Sequence, residues 1–254
     1  MSDLWRLALG HRLGQGADSS ALKRYLPSIA GIYPVWHHAS TTPNTDGAIS
    51  AIADVSLGLY PLSQGTPANQ PSRGSGKITF DGDDWLETAD ATLCGFATGS
   101  AFSLLMVVEM NSGTPGTRNE VGGWGDAAVL TENGYLAHSA ADLLEAYNRH
   151  GGTNLVATGA TALDATRRTY MMVATNGASG NVLSYIGNVL EATSGTGNPG
   201  SNASDRFSLG GVFLGANPTS SLSGAIIAAC AVSIAADATM RGQWENWANA
   251  GCPL

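Results

Sequence analysis

The sequence reads FSLLMVVEM at residues 102–110, an apolar run bounded by serine and glycine. A short apolar run between turn-forming residues is typical of a strand buried in the middle of a sheet. Two further runs share this character, TYMMVAT at 169–175 and SGAIIAACAVS at 223–233. Clusters rich in Gly, Asn and Ser separate the runs, for example at 111–113 and 176–177. Short strands joined by such turns predict a β-sandwich.

Weaker patterns elsewhere in the chain predict further strands and two helices. Residues 77–80 (KITF) and 182–186 (VLSYI) alternate polar and apolar residues, as half-buried strands do. Residues 140–147 read as a second short helix. A longer helix is predicted near the end of the chain, where Asp237 can cap its first turn. The spacing i, i+4, i+7 gives this helix an apolar face of Met240, Trp244 and Trp247.

Composition narrows the functional classes. The 254 residues include 33 glycines, and only 13% are charged against 43% hydrophobic. Such a chain is too apolar to be disordered. The net charge is -8 and the twelve basic residues are scattered, which argues against a nucleic-acid partner. The longest apolar run, residues 225–232, is far short of the ~20 residues of a membrane-spanning helix.

The first 32 residues differ from the rest. Glycines interrupt them, and they are too short for a core of their own. We therefore divide the chain into an N-terminal attachment segment, 1–32, and a β-sandwich, 33–254. Ordinary packing of the segment against the sandwich is the alternative. The first six residues lack the features of a signal peptide, so synthesis in a cytoplasm is expected. The candidate docking residues are Leu4, Trp5, Leu7, Tyr25 and Leu26.

Several short motifs follow one another along the chain in a characteristic order. Residues 54–56 (DVS) and 64–71 (QGTPANQP) precede ITFDGDDWL at 78–86, and the FSLLMVVE strand follows. A hairpin at 182–190 and the strand SLGG at 208–211 come later, before the closing helix. The set resembles the laminin-G-like or concanavalin A-like jelly-roll domain found in many phage and bacterial surface proteins. The resemblance covers residues 33–250 and departs from the family pattern where Leu57 separates Ser56 from the usual glycine.

The resemblance implies an all-β, concanavalin A-like jelly-roll sandwich with a C-terminal helix. It also implies a non-enzymatic virion surface protein of a phage or phage-like particle, on the tail, baseplate or head, that presents a lectin-like sandwich to host glycans. Its partners would be other virion proteins, reached through the N-terminal segment, in a homo-oligomer or in many copies. The alternatives are a capsid decoration protein without a ligand and a glycan-cleaving hydrolase.

Three carboxylates cluster in the FDGDDW motif. Asp81 and Gly82 form a strong turn signal, and Asp83 and Asp84 can bond the turn backbone. The same side chains could instead hold calcium, which takes about six to eight oxygen ligands. Turn formation is the expected role, so no cofactor is predicted, and calcium remains the alternative for Asp81, Asp83 and Asp84.

Catalytic motifs are not evident. Glycosidases need two carboxyl groups beside the scissile bond, and glycosidases of this fold would resemble Glu-x-Asp-x-x-Glu on one strand. Glu109 lies in a strand, but Asn111 and Thr114 occupy the two partner positions. We therefore predict no catalytic residues and no enzymatic activity.

Aromatic residues beside polar ones suggest a sugar site. Trp124 lies in the glycine-rich stretch GGWGD with Asp126, and Tyr135 follows Asn133 and Gly134. Exposed rings stack on sugars while nearby polar groups bond the hydroxyls, so Trp124, Asp126 and Tyr135 are the carbohydrate-binding candidates. Packing of Trp124 in the core is the alternative.

Overall fold

The computed structural model describes residues 20–44, 46–88, 101–110, 118–125, 133–150, 153–175, 180–197, 206–212 and 221–254. Within these ranges the chain is all-β apart from two α-helices and a short 3-10 turn at Pro67–Asn69, which confirms the predicted class. The helices are α1 (Ser20–Tyr25) and α2 (Ala238–Asn249). The strands are β1 (Val35–Pro43), β2 (Ile49–Asp54), β3 (Leu62–Ser63), β4 (Ser72–Gly74), β5 (Lys77–Asp81), β6 (Leu86–Thr88), β7 (Phe102–Met110), β8 (Asn119–Gly125), β9 (Asn133–His138), β10 (Leu143–His150), β11 (Thr153–Ala162), β12 (Arg168–Ala174), β13 (Val182–Ile186), β14 (Val189–Thr193), β15 (Arg206–Leu209) and β16 (Ser223–Val232).

The strands form one antiparallel sheet that is nearly closed. Its order is β11-β10-β9-β8-β15-β6-β3-β2-β1-β16-β7-β12-β13-β14, with β5 beside β16 and β4 beside β5. The first and last strands are therefore neighbours. The two end strands of the path also meet, because the Thr161 backbone N–H donates to Glu191 Oε2 at 3.1 Å.

Strand β7 is buried on both faces. Leu104, Met106 and Val108 contribute to the main apolar cluster, which fills the space enclosed by the sheet. Leu105 and Val107 contribute to a second cluster on the opposite face. A strand covered on both sides loses polar alternation and reads as a continuous apolar run. The predicted central strand is thus confirmed.

The two helices cover the second cluster. Trp244 and Trp247 of α2 are fully buried there, together with Leu22 and Leu26 of the α1 region. The Asp237 carboxylate accepts from the Met240 backbone N–H at 2.8 Å, so the predicted helix cap is confirmed. No helix in the described ranges is long and apolar enough to cross a membrane.

The described part of the N-terminal segment packs on the chain itself. Leu26 and Ile29 are completely buried, and the Ser28 backbone N–H donates to Gln243 Oε1 of α2 at 3.2 Å. This corrects the proposed docking role of Leu26, because its own chain already covers its side chain. Tyr25 is half-buried against the same cluster. The docking candidates Leu4, Trp5 and Leu7 lie outside the described residues.

The predicted helix at 140–147 is wrong. Strand β10 occupies most of this stretch and pairs with β9 and β11 on its two sides. Leu144 and Ala146 enter the main cluster, and Glu145 and Tyr147 alternate with them. Pairing on both sides overrides the helical propensity of these residues.

Candidate functional site

Five polar and aromatic side chains gather on strands β8, β9 and β10. Arg118 directly precedes β8, Glu120 lies on β8, Tyr135 lies on β9, and Glu145 and Tyr147 lie on β10. We call these five residues the tyrosine–arginine cluster.

Strand geometry places this cluster on the face away from the main core. Leu136 of β9 contributes to the main cluster, as do Leu144 and Ala146 of β10. Successive side chains of a strand point to opposite faces, so Tyr135 and Tyr147 lie on the other face. Tyr147 is directly opposite Tyr135 in the antiparallel register, which brings the two rings together.

The two tyrosine rings and the arginine form one stack. The ring centroids of Tyr135 and Tyr147 are 4.8 Å apart and their planes differ by 9°. The Arg118 guanidinium carbon lies 5.0 Å from the Tyr135 centroid and 4.0 Å from the Tyr147 centroid, within cation–π range. Arg118 Nη2 also donates to the Tyr135 hydroxyl. The aromatic pair thus holds the guanidinium in position.

A glycine makes room for this stack. Gly123 is paired with Tyr135, and a Cβ at Gly123 would lie 2.5 Å from the Tyr135 Cβ and 2.2 Å from the Gly134 carbonyl oxygen. Any other residue at Gly123 would displace β9 and its tyrosine.

Glu145 connects the tyrosine to the arginine. The Tyr147 hydroxyl donates to Glu145 Oε2 at 3.0 Å, and Arg118 Nε lies 3.8 Å from the same oxygen. The Thr158 hydroxyl is 3.4 Å from Glu145 Oε1. Burial raises the pKa of Tyr147 to about 12, against the opposing effect of Arg118. At neutral pH Tyr147 therefore keeps its proton and directs it at a carboxylate.

Glu120 is more deeply buried than Glu145. Its exposed fraction is 2%, and within the described part of the chain its Oε2 has no hydrogen-bond partner. Burial raises its pKa to about 7, while the charge of Arg118 and the Val212 backbone N–H lower it. Glu120 is therefore partly protonated near neutral pH, which suits a general acid.

The two described candidates for sugar binding, Tyr135 and Trp124, have different surroundings. Tyr135 belongs to the tyrosine–arginine cluster, but Trp124 lies in the main apolar cluster with 1% exposure. Its ring meets Phe102 edge-on, with centroids 3.7 Å apart. This corrects the proposed stacking role of Trp124, since no ring face is open to a sugar. Asp126 lies outside the described residues.

The acidic motif forms a turn in which the three carboxylates approach one another. The candidate ligand atoms of Asp81, Asp83 and Asp84 all lie within 4.8 Å of one another. Gly82 has φ +114°, a value that favours glycine, and the Asp81 backbone N–H donates to Asp84 Oδ2 at 3.3 Å. Burial, followed by the charge of Asp81, raises the pKa of Asp84 to about 6. These contacts form a turn, the role expected from the sequence, and calcium stays the untested alternative.

Comparison with known proteins yields structural likeness alone. No family model matches the chain, and neither does any curated protein. The fold is similar to Trypanosoma rangeli sialidase in complex with sialic acid, with TM-score 0.64 and 12% identity over 99% of this chain and 40% of that chain. A mutant of that sialidase displaying trans-sialidase activity gives TM-score 0.65 and 14% identity over 98% and 39%. The K499G mutant of NanB sialidase from Streptococcus pneumoniae gives 0.53 and 12% over 66% and 27%.

These neighbours correct two predictions. The solved structures named above are sialidases, not virion proteins, which contradicts the prediction of a non-enzymatic virion surface protein. The prediction that the chain has no enzymatic activity is contradicted on the same grounds. The chain spans about 40% of the length of the T. rangeli proteins, and identity this low shows the fold alone. Function must therefore be argued from the chain's own residues.

Proposed function

We propose that this chain takes part in glycan cleavage, with the tyrosine–arginine cluster as the sugar site. The observation that carries the proposal is the Tyr147–Glu145 hydrogen bond beside Arg118, on the same sheet face as the buried carboxyl group of Glu120. Retaining glycosidases need a nucleophile and an acid, and sialidases use a tyrosine as the nucleophile. The sialidase-like fold supports the proposal without carrying it.

Each group has a chemical role in this proposal. Glu145 accepts the hydroxyl proton as Tyr147 attacks the anomeric carbon, because a tyrosine with a pKa of about 12 needs a base. Glu120 donates its proton to the leaving-group oxygen as the glycosidic bond breaks. Water then displaces Tyr147 from the sugar and gives its proton to Glu120, while Glu145 returns its proton to the Tyr147 oxygen. Arg118 positions Tyr147 and Glu145 and supplies positive charge.

The proposal is tested with a panel of fluorogenic glycosides, sialosides included. Tyr147→Phe removes the hydroxyl and keeps the ring, so it should reduce kcat by at least about a hundredfold. Glu120→Gln should also remove the alkaline limb of the pH–rate profile, the fall in rate as Glu120 loses its proton above about pH 7.

Tyr185→Phe is the matched control. Its ring also lies near an arginine, with the Arg241 guanidinium 4.2 Å from the centroid, but it packs on the second apolar cluster. The control should retain full activity. The proposal fails if no glycoside is turned over, or if Tyr147→Phe is as active as the control.

We further propose that the nearly closed sheet is the concanavalin A-like jelly-roll sandwich expected from the motifs. Two features support this arrangement: the pairing of the first strand with the last, and the apolar cluster enclosed by the sheet. A crystal structure with two facing sheets would agree with it, and a radial array of separate small sheets would contradict it.

A further inference from the structure

A cavity separate from the tyrosine–arginine cluster lies against helix α2. The cavity, of about 580 Å³, lies between the C-terminal half of α2 and the strands β7, β12 and β13. Its volume is in the range of small-molecule sites. No residue of the tyrosine–arginine cluster lines it, so it does not depend on the proposed function. Its polar lining consists of Arg167, Arg168, Thr169, Glu245 and Asn249.

Arg167 brings an unneutralised positive charge to this cavity. Its Nη2 donates to Cys252 Sγ at 3.0 Å and to the Ala248 carbonyl oxygen at 3.5 Å. Burial raises the pKa of Cys252 to about 11, so the thiol is uncharged at neutral pH. Arg168 differs, because Asp164 Oδ2 lies 2.9 Å from its Nη2. Among the residues that the structure describes, no carboxylate forms an ion pair with Arg167.

Glu245 supplies hydrogen-bond acceptors to the same cavity. The Thr169 hydroxyl bonds to its Oε2, and Asn249 Nδ2 donates to its Oε1 at 3.3 Å. Gly187 lies beside it with φ +63°, and a Cβ there would be 3.5 Å from Oε1. A carboxylate has about four lone-pair sites, so each oxygen keeps a free position for a ligand hydroxyl.

We propose that this cavity binds a small sugar acid, a ring that carries one carboxylate and several hydroxyl groups. The carboxylate would pair with Arg167, whose planar guanidinium suits this group. The hydroxyls would donate to Glu245 and accept from Asn249, while Val107 and Ile186 contact the C–H face of the ring. Glu245 would repel a doubly charged phosphate, so a monoanion is favoured.

The test measures binding of D-glucuronate and of D-glucose, which lacks the carboxylate, by calorimetry and by NMR of the labelled protein. We expect saturable binding of glucuronate that weakens with added salt, and no measurable binding of glucose. The amide signals of Gly187 and Gly251 should shift on binding, since both residues line the cavity.

Variants distinguish binding at this cavity from a general effect of the protein's charge. Arg167→Gln should weaken glucuronate binding by at least about tenfold. Arg73→Gln removes the same charge from an exposed position on β4 and should have no effect. Asn249→Ala, at an exposed helix position, should weaken binding without unfolding the chain. Circular dichroism checks the fold of each variant.

Several outcomes would overturn the proposal. They are the absence of binding up to about 10 mM glucuronate, equal binding of glucose, and unchanged affinity in both Arg167→Gln and Asn249→Ala. Tighter binding of inorganic phosphate than of glucuronate would overturn the assignment to a sugar acid.

Discussion

Glu120 is a carboxyl group that folding removes from water, and its pKa rises from 4.5 to about 7. Because the folded pKa is the higher one, the stability that this group contributes is fully present below pH 4.5 and is lost as the pH rises through about 7. Glu120→Gln should remove this dependence. The unfolding free energy of Glu120→Gln minus that of the wild type should increase by about 2–3 kcal/mol between pH 4.5 and about pH 8.

Urea titrations at a series of pH values provide the measurement. Glu87→Gln is a suitable control, because Glu87 is paired with Arg206 at 2.8 Å and is less buried. Parallel pH profiles for the wild type and Glu120→Gln would show that Glu120 is hydrated in the folded protein and would also weaken its assignment as the acid.

At the scale of elements, the stability of helix α2 depends on the capping of its first turn. The Asp237 carboxylate satisfies the Met240 backbone N–H, and the helix covers the second apolar cluster with two tryptophans. Asp237→Ala should lower the unfolding free energy by about 1 kcal/mol, and Asp237→Asn should retain most of it. Chemical denaturation followed by tryptophan fluorescence measures both, and equal losses in the two variants would contradict the capping role.

The elements also show what the sequence could predict. Strand β7 was predictable because a strand buried on both faces has a continuous apolar sequence. Helix α2 was predictable because its apolar residues recur on one face. Strand β10 was not, because Leu, Glu and Ala within it favour a helix and only its pairing with β9 and β11 decides the outcome. The alternation of Leu144 and Ala146 with Glu145 and Tyr147 was the available signal.

At the scale of the whole molecule, the two apolar clusters should unfold together. They share strands β7, β12 and β16, whose alternate residues enter one cluster or the other. Leu26→Ala in the second cluster and Leu136→Ala in the main cluster should each cost about 2–5 kcal/mol. Both should shift one common transition, seen at the same urea concentration by fluorescence and by far-UV circular dichroism. Separate transitions would mean that the clusters are independent units.

The candidate site is also a property of the whole molecule. Tyr135 was predicted from its local context, but its partners were not, because Arg118 and Tyr147 reach it only through the pairing of three strands. Likewise, the pKa of Glu120 depends on groups outside its own strand, such as the Val212 backbone N–H, which lowers it. A single sequence shows residue types, whereas the pKa of a group depends on distant neighbours.

The meeting of the two end strands has a consequence for the protein in a crowded solution. An exposed sheet edge offers unpaired backbone groups to which another chain can add a strand, and this is a common start of aggregation. Here β11 and β14 lie against each other through Thr161 and Glu191, and β4, which pairs with β5 and forms one bridge from Ser72 to Ala48, is three residues long. The described strands thus offer little unpaired edge for self-association, and a net charge of -8 adds repulsion between chains.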